Sequence, residues 1–186
     1  MAILPLVIAP DERLNTKSSP VEKVDDEIKQ LAADLFDTMY HEQGIGLAAV
    51  QVGVLKRVLV ADVDWRQGEG PGEQHVLINP EIMEGSEDER VYKEGCLSFP
   101  DQFAEVTRPD TVKVRYLDLD GNQQEREFDG LLGTCIQHEI DHLDGIVFVD
   151  HVSKLKRDMI LRKLKKLKKL GAFEPEHVHG DHCNHG

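Results

Sequence analysis

The sequence predicts an α+β fold in which antiparallel sheets pack around a central helix and an amphipathic helix closes the chain. Three observations carry this expectation. Strand patterns precede the central helix instead of alternating with helices, which disfavours a doubly wound parallel sheet. The segment from about Gly130 to Leu143 is apolar almost all round, at Leu131, Leu132, Ile136 and Ile140, as a helix buried on every side must be. After it, residues 153–170 combine an apolar stripe with a strongly basic opposite face.

In chain order, residues 20–24 lead into a first helix, its approach marked by Pro20; Ile28, Leu31, Leu35 and Met39 then recur at helical spacing through Glu42. Gly44 and Gly46 end that pattern, and the small apolar run through Val50 reads as a loop feeding a strand. Residues 57–63 read as a buried strand, 68–72 with Pro71 as an exposed loop, and 75–79 as a return strand ended by Pro80. Residues 112–117 and 123–128 flank Asp120-Gly121, a strong hairpin signal. Gly145 stops the central helix. In the last helix Ser153 is the N-cap, Leu155, Met159, Leu164 and Leu167 form the stripe, and Gly171 lies beyond the end.

With 186 residues and 40% apolar composition the chain suits one domain with a real core. We expect a single catalytic domain over 1–171 and a flexible His-rich tail over 172–186. No stretch approaches the roughly 20 apolar residues of a membrane span, and the apolar opening 3–8 lacks a basic leader and a small-residue cleavage site. Cys96, Cys135 and Cys183 are odd in number and far apart, which suits reduced thiols or metal ligands more than disulfides. A soluble, cytoplasmic monomer is the expectation. The net charge of −13 is uneven, because Lys154–Lys169 holds nine Lys/Arg against Asp158 alone, a net +8 that leaves −21 elsewhere. The acidic body would repel DNA, whereas the basic element can dock on a polyanion or simply form a solvated face.

The sharpest chemical signal is His138-Glu139-Ile140-Asp141-His142, an HExxH motif on the central helix. Imidazoles four residues apart share a helix face and can bind one ion, with Glu139 beside it as proton acceptor and donor. That would make the central helix a metal-binding one, because buried imidazoles and a buried carboxylate need partners to offset desolvation. A zinc endopeptidase fits the motif alone, but its third ligand usually lies downstream, where His151 is the only nearby candidate. Upstream, Glu94-Gly95-Cys96-Leu97-Ser98 offers a thiolate suited to Fe, Co, Ni or Zn, although a lone Cys also packs as a small hydrophobe. Gly44 and Gly46 fit either a plain helix stop or a backbone along which a peptide lies as an added strand. Asp141 fits a partner for a ligand imidazole, for a basic group or for water. A third reading is a catalytically silent binding protein with a structural metal.

Gly44-Ile45-Gly46-Leu47-Ala48-Ala49-Val50-Gln51, Glu94-Gly95-Cys96-Leu97-Ser98 and Gln137-His138-Glu139-Ile140-Asp141-His142 resemble the three ordered motifs of peptide deformylases. The likeness runs from Pro10-Asp11 to the helix ending near Leu170 and is closest to the bacterial type with a long C-terminal helix. The resemblance implies a hydrolase of protein biosynthesis that removes the formyl group from the N-terminal methionine of nascent peptides. It implies Cys96, His138 and His142 as ligands of one divalent ion, Fe(II) in cells, with Zn, Ni or Co possible in purified protein. It makes Glu139 the proton shuttle and gives oxyanion stabilisation to the Gln51 amide and the Leu97 backbone N–H. Gly44, Ile45, Gly46, Gly95, Leu131 and Cys135 become substrate-binding residues, with Ile45, Leu131 and Cys135 as candidates for the methionine pocket; these three can equally be plain core. It also implies ribosome contact through 153–170. The tail residues His177, His179, His182, Cys183 and His185 depart from the family pattern; they suit soft metal ions or an incidental affinity.

Overall fold

The computed structural model describes residues 2–172, and the His-rich tail lies outside the described residues. Its core is built on a short strand whose both faces are buried. Strand β2 (Val58–Ala61) is apolar at every position because it lies between two helices. Val58 and Val60 pack against α1 (Asp26–His41), while Leu59 and Ala61 pack against α2 (Gly130–Leu143). Around it the antiparallel sheet runs β1 (Gly46–Ala48), β2, β3 (His75–Gly85), β6 (Thr111–Leu117) and β7 (Gln123–Asp129). A separate hairpin pairs β4 (Glu89–Cys96) with β5 (Phe99–Pro109). It packs with the N-terminal segment, the short helix Phe148–His151 and α3 (Lys154–Lys169) in another apolar cluster. The α+β architecture is the one the sequence predicts.

The helices begin and end for local reasons. Asp25 caps α1 by accepting from the Ile28 N–H, and Ser153 caps α3 by accepting from Lys156. Helix α2 ends in a Schellman motif, with Gly145 N–H donating to His142 and Ile146 N–H to Asp141 while Gly145 takes φ +75°. Gly171 ends α3 the same way, as its own and the Ala172 N–H turn back onto Lys168 and Leu167.

The structure departs from the sequence reading in three places. Pro80 does not end its strand. Asn79 takes φ +50°, the register against β6 shifts between Ile78 and Glu81, and Pro80 sits in that irregularity, where no N–H is demanded. The β4–β5 hairpin has no counterpart in the reading. Most of β4 is exposed, and the inward alternation of β5 runs through Gln102 and Arg108 as well as Ala104 and Val106, which hides the apolar signal. In α3, Leu155 and Met159 of the predicted stripe are 74% and 62% exposed; the helix meets the body through Leu164 of that stripe and through Ile160, with Leu161 beside them.

Leu35, fully buried where α1 packs on the sheet, tests that packing. Leu35→Ala should lower unfolding free energy by about 2–5 kcal/mol in urea titration, with no change in metal content.

Candidate active site

Helix α2 brings His138 and His142 onto one face, their rings 4.9 Å apart. Cys96 comes from the end of β4, where the register shifts between Gly95 and Cys96. Cys96 Sγ lies 3.2 Å from His142 Nε2, which lies 3.2 Å from His138 Nε2. Ion–ligand lengths of about 2.0–2.3 Å at tetrahedral angles put such donor atoms roughly 3.4–3.6 Å apart, so one ion can touch all three with slight adjustment. Among the described residues they form the one group of three such side chains whose ligand atoms all lie within 4.8 Å of one another. Beside them, Glu139 Oε2 is buried without a hydrogen-bond partner, a state that costs free energy unless water or substrate satisfies it. Burial pushes the Glu139 carboxyl up to about 7, aided by the Glu94 charge and opposed by His138.

A buried ionic chain orients the ligand side. His138 Nδ1 donates to Glu94 at 2.8 Å, which leaves Nε2 as the free nitrogen. Arg108 donates through Nε and Nη2 to both Glu94 oxygens, at 2.7 and 3.0 Å, and through Nη1 to Asp141 at 2.7 Å. Asp141 also accepts from His151 Nε2 at 2.8 Å. Burial alone would raise the Glu94 pKa, but the hydrogen bonds from His138 and Arg108 outweigh it and hold the carboxyl at about 2. The open choice for Asp141 is therefore resolved, since it pairs with basic groups. Sequence reasoning missed Arg108 and weighed His151 only as a third metal ligand, whereas it pairs with Asp141; the available signal was an arginine at an inward position of β5.

Gln51 is fully buried on the short helix Ala49–Val52. Its Oε1 accepts from Ala48 N–H at 2.9 Å, which aims Nε2 at Cys96 Sγ, 3.4 Å away, and Ser98 Oγ, 3.2 Å away. Leu97 follows Cys96 in the turn between β4 and β5, and its side chain covers Gly44, where a Cβ would come within 2.7 Å. At Gly46 a Cβ would stand 2.6 Å from Cys135 Sγ and 3.1 Å from Cγ of Glu139, so only glycine fits there. Cys135 Sγ also lies 3.6 Å from the Ile45 carbonyl, and burial pushes its thiol pKa well up. Leu131, one turn earlier on α2, is 42% exposed, while Gly95 lies under the Phe103 ring. Of the predicted residues, Gln51 thus meets Cys96 beside His138 and His142, and Gly46 lies against Cys135 and Glu139.

The backbone adds an open edge. Gly46 faces Ala61 across β1–β2, and the Asp62 N–H donates to Ile45 O at 2.9 Å. In that antiparallel register the N–H and C=O of Gly46 point away from β2. Among the described residues β1 ends its sheet and β4 pairs with β5 alone, so each has one edge without a strand partner.

A family model described as polypeptide deformylase matches residues 3–158. The chain belongs to the peptide deformylase family. The peptide deformylase of Brucella suis biovar 1 (strain 1330) is 54% identical over 167 residues, covering 90% of this chain and 94% of its own. That of Mesorhizobium japonicum is 56% identical over 169 residues, covering 91% and 95%. Among solved structures, a peptide deformylase from Ehrlichia chaffeensis in complex with actinonin superposes with a TM-score of 0.85 at 46% identity, covering 91% of this chain and 99% of that one. A deformylase from Legionella pneumophila gives a TM-score of 0.84 at 45% identity, with coverages of 94% and 100%. Family membership removes the zinc endopeptidase reading of the HExxH motif.

Arg108→Met should leave Glu94 and Asp141 as buried carboxylates without their shared cation. We expect a loss of about 3–5 kcal/mol in unfolding free energy and metal binding weakened roughly 10- to 100-fold in Co(II) titration. Arg108→Lys should recover only part of either, since an ammonium cannot span both Glu94 oxygens and Asp141 as the fork does.

Proposed function

We propose that this chain hydrolyses the N-formyl group of N-terminal formylmethionine in nascent polypeptides, releasing formate and a free amine. The observation that carries the reading is the convergence of the Cys96 thiol with His138 and His142, a third ligand that comes from upstream. The catalytic unit is residues 1–171. Cys96, His138 and His142 hold one divalent ion, Fe(II) in the cell, for which Zn, Ni or Co can substitute. When bound, the ion supplies Lewis acidity, lowering the pKa of water and polarising a carbonyl oxygen.

The protein's own groups do the rest. The peptide lies as an added strand on the open edge at Gly46, flanked by Gly44 and Gly95, with its methionine side chain among Ile45, Leu131 and Cys135. Glu139 accepts the proton of the attacking water, which adds to the formyl carbon. Negative charge develops on the formyl oxygen, where the Gln51 amide and the Leu97 N–H donate; one fixed donor is worth about 2.7–4 kcal/mol. The C–N bond then breaks as Glu139 returns the proton to the leaving nitrogen. A carboxyl with a pKa near 7 suits both transfers.

The basic helix supports a second element of the proposal. Nine Lys/Arg on α3, with Leu155 and Met159 exposed among them, form a surface for ribosomal RNA near emerging chains. The enzyme acts as a cytoplasmic monomer and does not bind DNA. Among the described residues no helix is long and apolar enough to cross a membrane.

Anaerobically prepared, iron-loaded protein should release formate from a formyl-Met peptide and lose that activity in air, whereas zinc-loaded protein should not. Glu139→Ala should lower the rate by about 10²–10⁴ with the metal retained. Cleavage of internal peptide bonds, or no turnover with any of these ions, would sink the reading. Replacing the exposed Lys163, Lys165, Lys166 and Lys169 of α3 by Glu should weaken salt-sensitive ribosome binding in sedimentation assays while sparing small-peptide turnover. Undiminished binding would remove the ribosome element.

A further inference from the structure

The segment after β2 makes contacts that no part of the catalytic chemistry requires. Asp62 is fully buried, and its carboxylate accepts from the N–H groups of Asp64, Trp65 and Gly72 at 3.1, 3.2 and 2.8 Å. Its Oδ2 also accepts from the Tyr40 hydroxyl at 2.7 Å, so one carboxylate ties both ends of the 62–72 loop to helix α1. The loop brings Trp65, the single tryptophan of the chain, edge-on to Tyr40 with ring centroids 5.4 Å apart. There the indole Nε1–H donates to the Gly44 carbonyl at 2.9 Å.

Two consecutive carbonyls ahead of Gly46 are therefore held from the same loop, Gly44 O by Trp65 and Ile45 O by the Asp62 N–H. Peptide units are rigid and trans, so a carbonyl fixed on one side aims the N–H on the other. Holding Ile45 O aims the Gly46 N–H at the open edge; holding Gly44 O fixes the plane before it, which carries the Ile45 N–H. Gly44 and Gly46 have no side chains to restrict their backbone, so that restriction must come from outside.

We propose that Trp65 is a positioning residue for substrate, acting through the Gly44 carbonyl to hold the edge on which the peptide docks. This rests on the deformylase reading of the site. The role is one of docking, because the side-chain hydrogen bond and ring contacts of Trp65 go to Gly44, Tyr40 and Arg66, on the side of the proposed docking edge.

Trp65→Phe keeps a ring against Tyr40 and removes the N–H. With a formyl-Met peptide, KM should rise about three- to tenfold, the scale of one lost hydrogen bond, while kcat stays within about twofold and metal content is unchanged. A KM equal to that of the parent protein would overturn the proposal, as would a fall in kcat accompanied by metal loss. The unmodified protein gives an independent measurement through its single tryptophan. Saturation with the deformylated Met peptide should shift the Trp65 emission, and a spectrum unmoved at saturation would overturn the coupling. Absence of formate release by the unmodified protein would instead remove the deformylase reading, an outcome distinct from normal turnover with an unchanged KM.

Discussion

The fold depends on burying a helix that is not wholly apolar. Helix α2 supplies the inner face for the five-stranded sheet through Ile136, Ile140 and Leu143, yet it carries His138, Glu139 and His142 at the same depth. Imidazole and carboxylate groups taken out of water require partners or a change of protonation. The structure meets this demand with Arg108, whose guanidinium stands between Glu94 and Asp141 and passes the chain of charges out to His151 at the surface. A point charge could not span three carboxylate oxygens on two elements; the planar fork can. The β4–β5 hairpin has its place for the same reason, since it delivers Cys96 and Glu94 from one strand and Arg108 from the other.

How much of this could be read from the sequence follows from which signals are local. The bounds of α2 were legible because a long apolar run ended at a glycine that takes positive φ, and the β6–β7 hairpin because Asp120-Gly121 is a turn dipeptide. The ligand set was legible as chemistry, through spacing on one helix plus one motif thiol, and its convergence in space agrees with that reading. The rest depended on context. Inward-facing Gln102 and Arg108 broke the pattern of β5, while the exposed positions of β4 carried little pattern at all. Leu155 and Met159 had the spacing of a buried stripe, but only farther along, at Leu164 with Ile160 beside it, does the helix bury side chains against the body. Trp65 gave no sign, because its partner is a backbone carbonyl 21 positions away.

The division of the molecule into packed clusters also explains why its polar chemistry is confined. One apolar cluster lies between α2 and the sheet, another between α1 and the opposite face of that sheet, and a third beneath the β4–β5 hairpin. Cys96, His138 and His142, which could hold one ion, stand where the first and third approach each other, with Phe148 of the third stacked near the His138 ring. Apolar walls on both sides lower the local dielectric, which strengthens the hydrogen bonds and ion pairs held between them.

Strand β1 is only three residues long, and its first residue is a glycine. An open strand edge is a template for any extended chain, including another copy of the same protein, and proteins commonly defend such edges with brevity, charge or proline. Here brevity is the defence. Three residues offer too little backbone to start a lasting sheet with a neighbour. On the proposed docking of peptide at this edge, the same shortness would leave each chain only loosely committed, as release of every product requires.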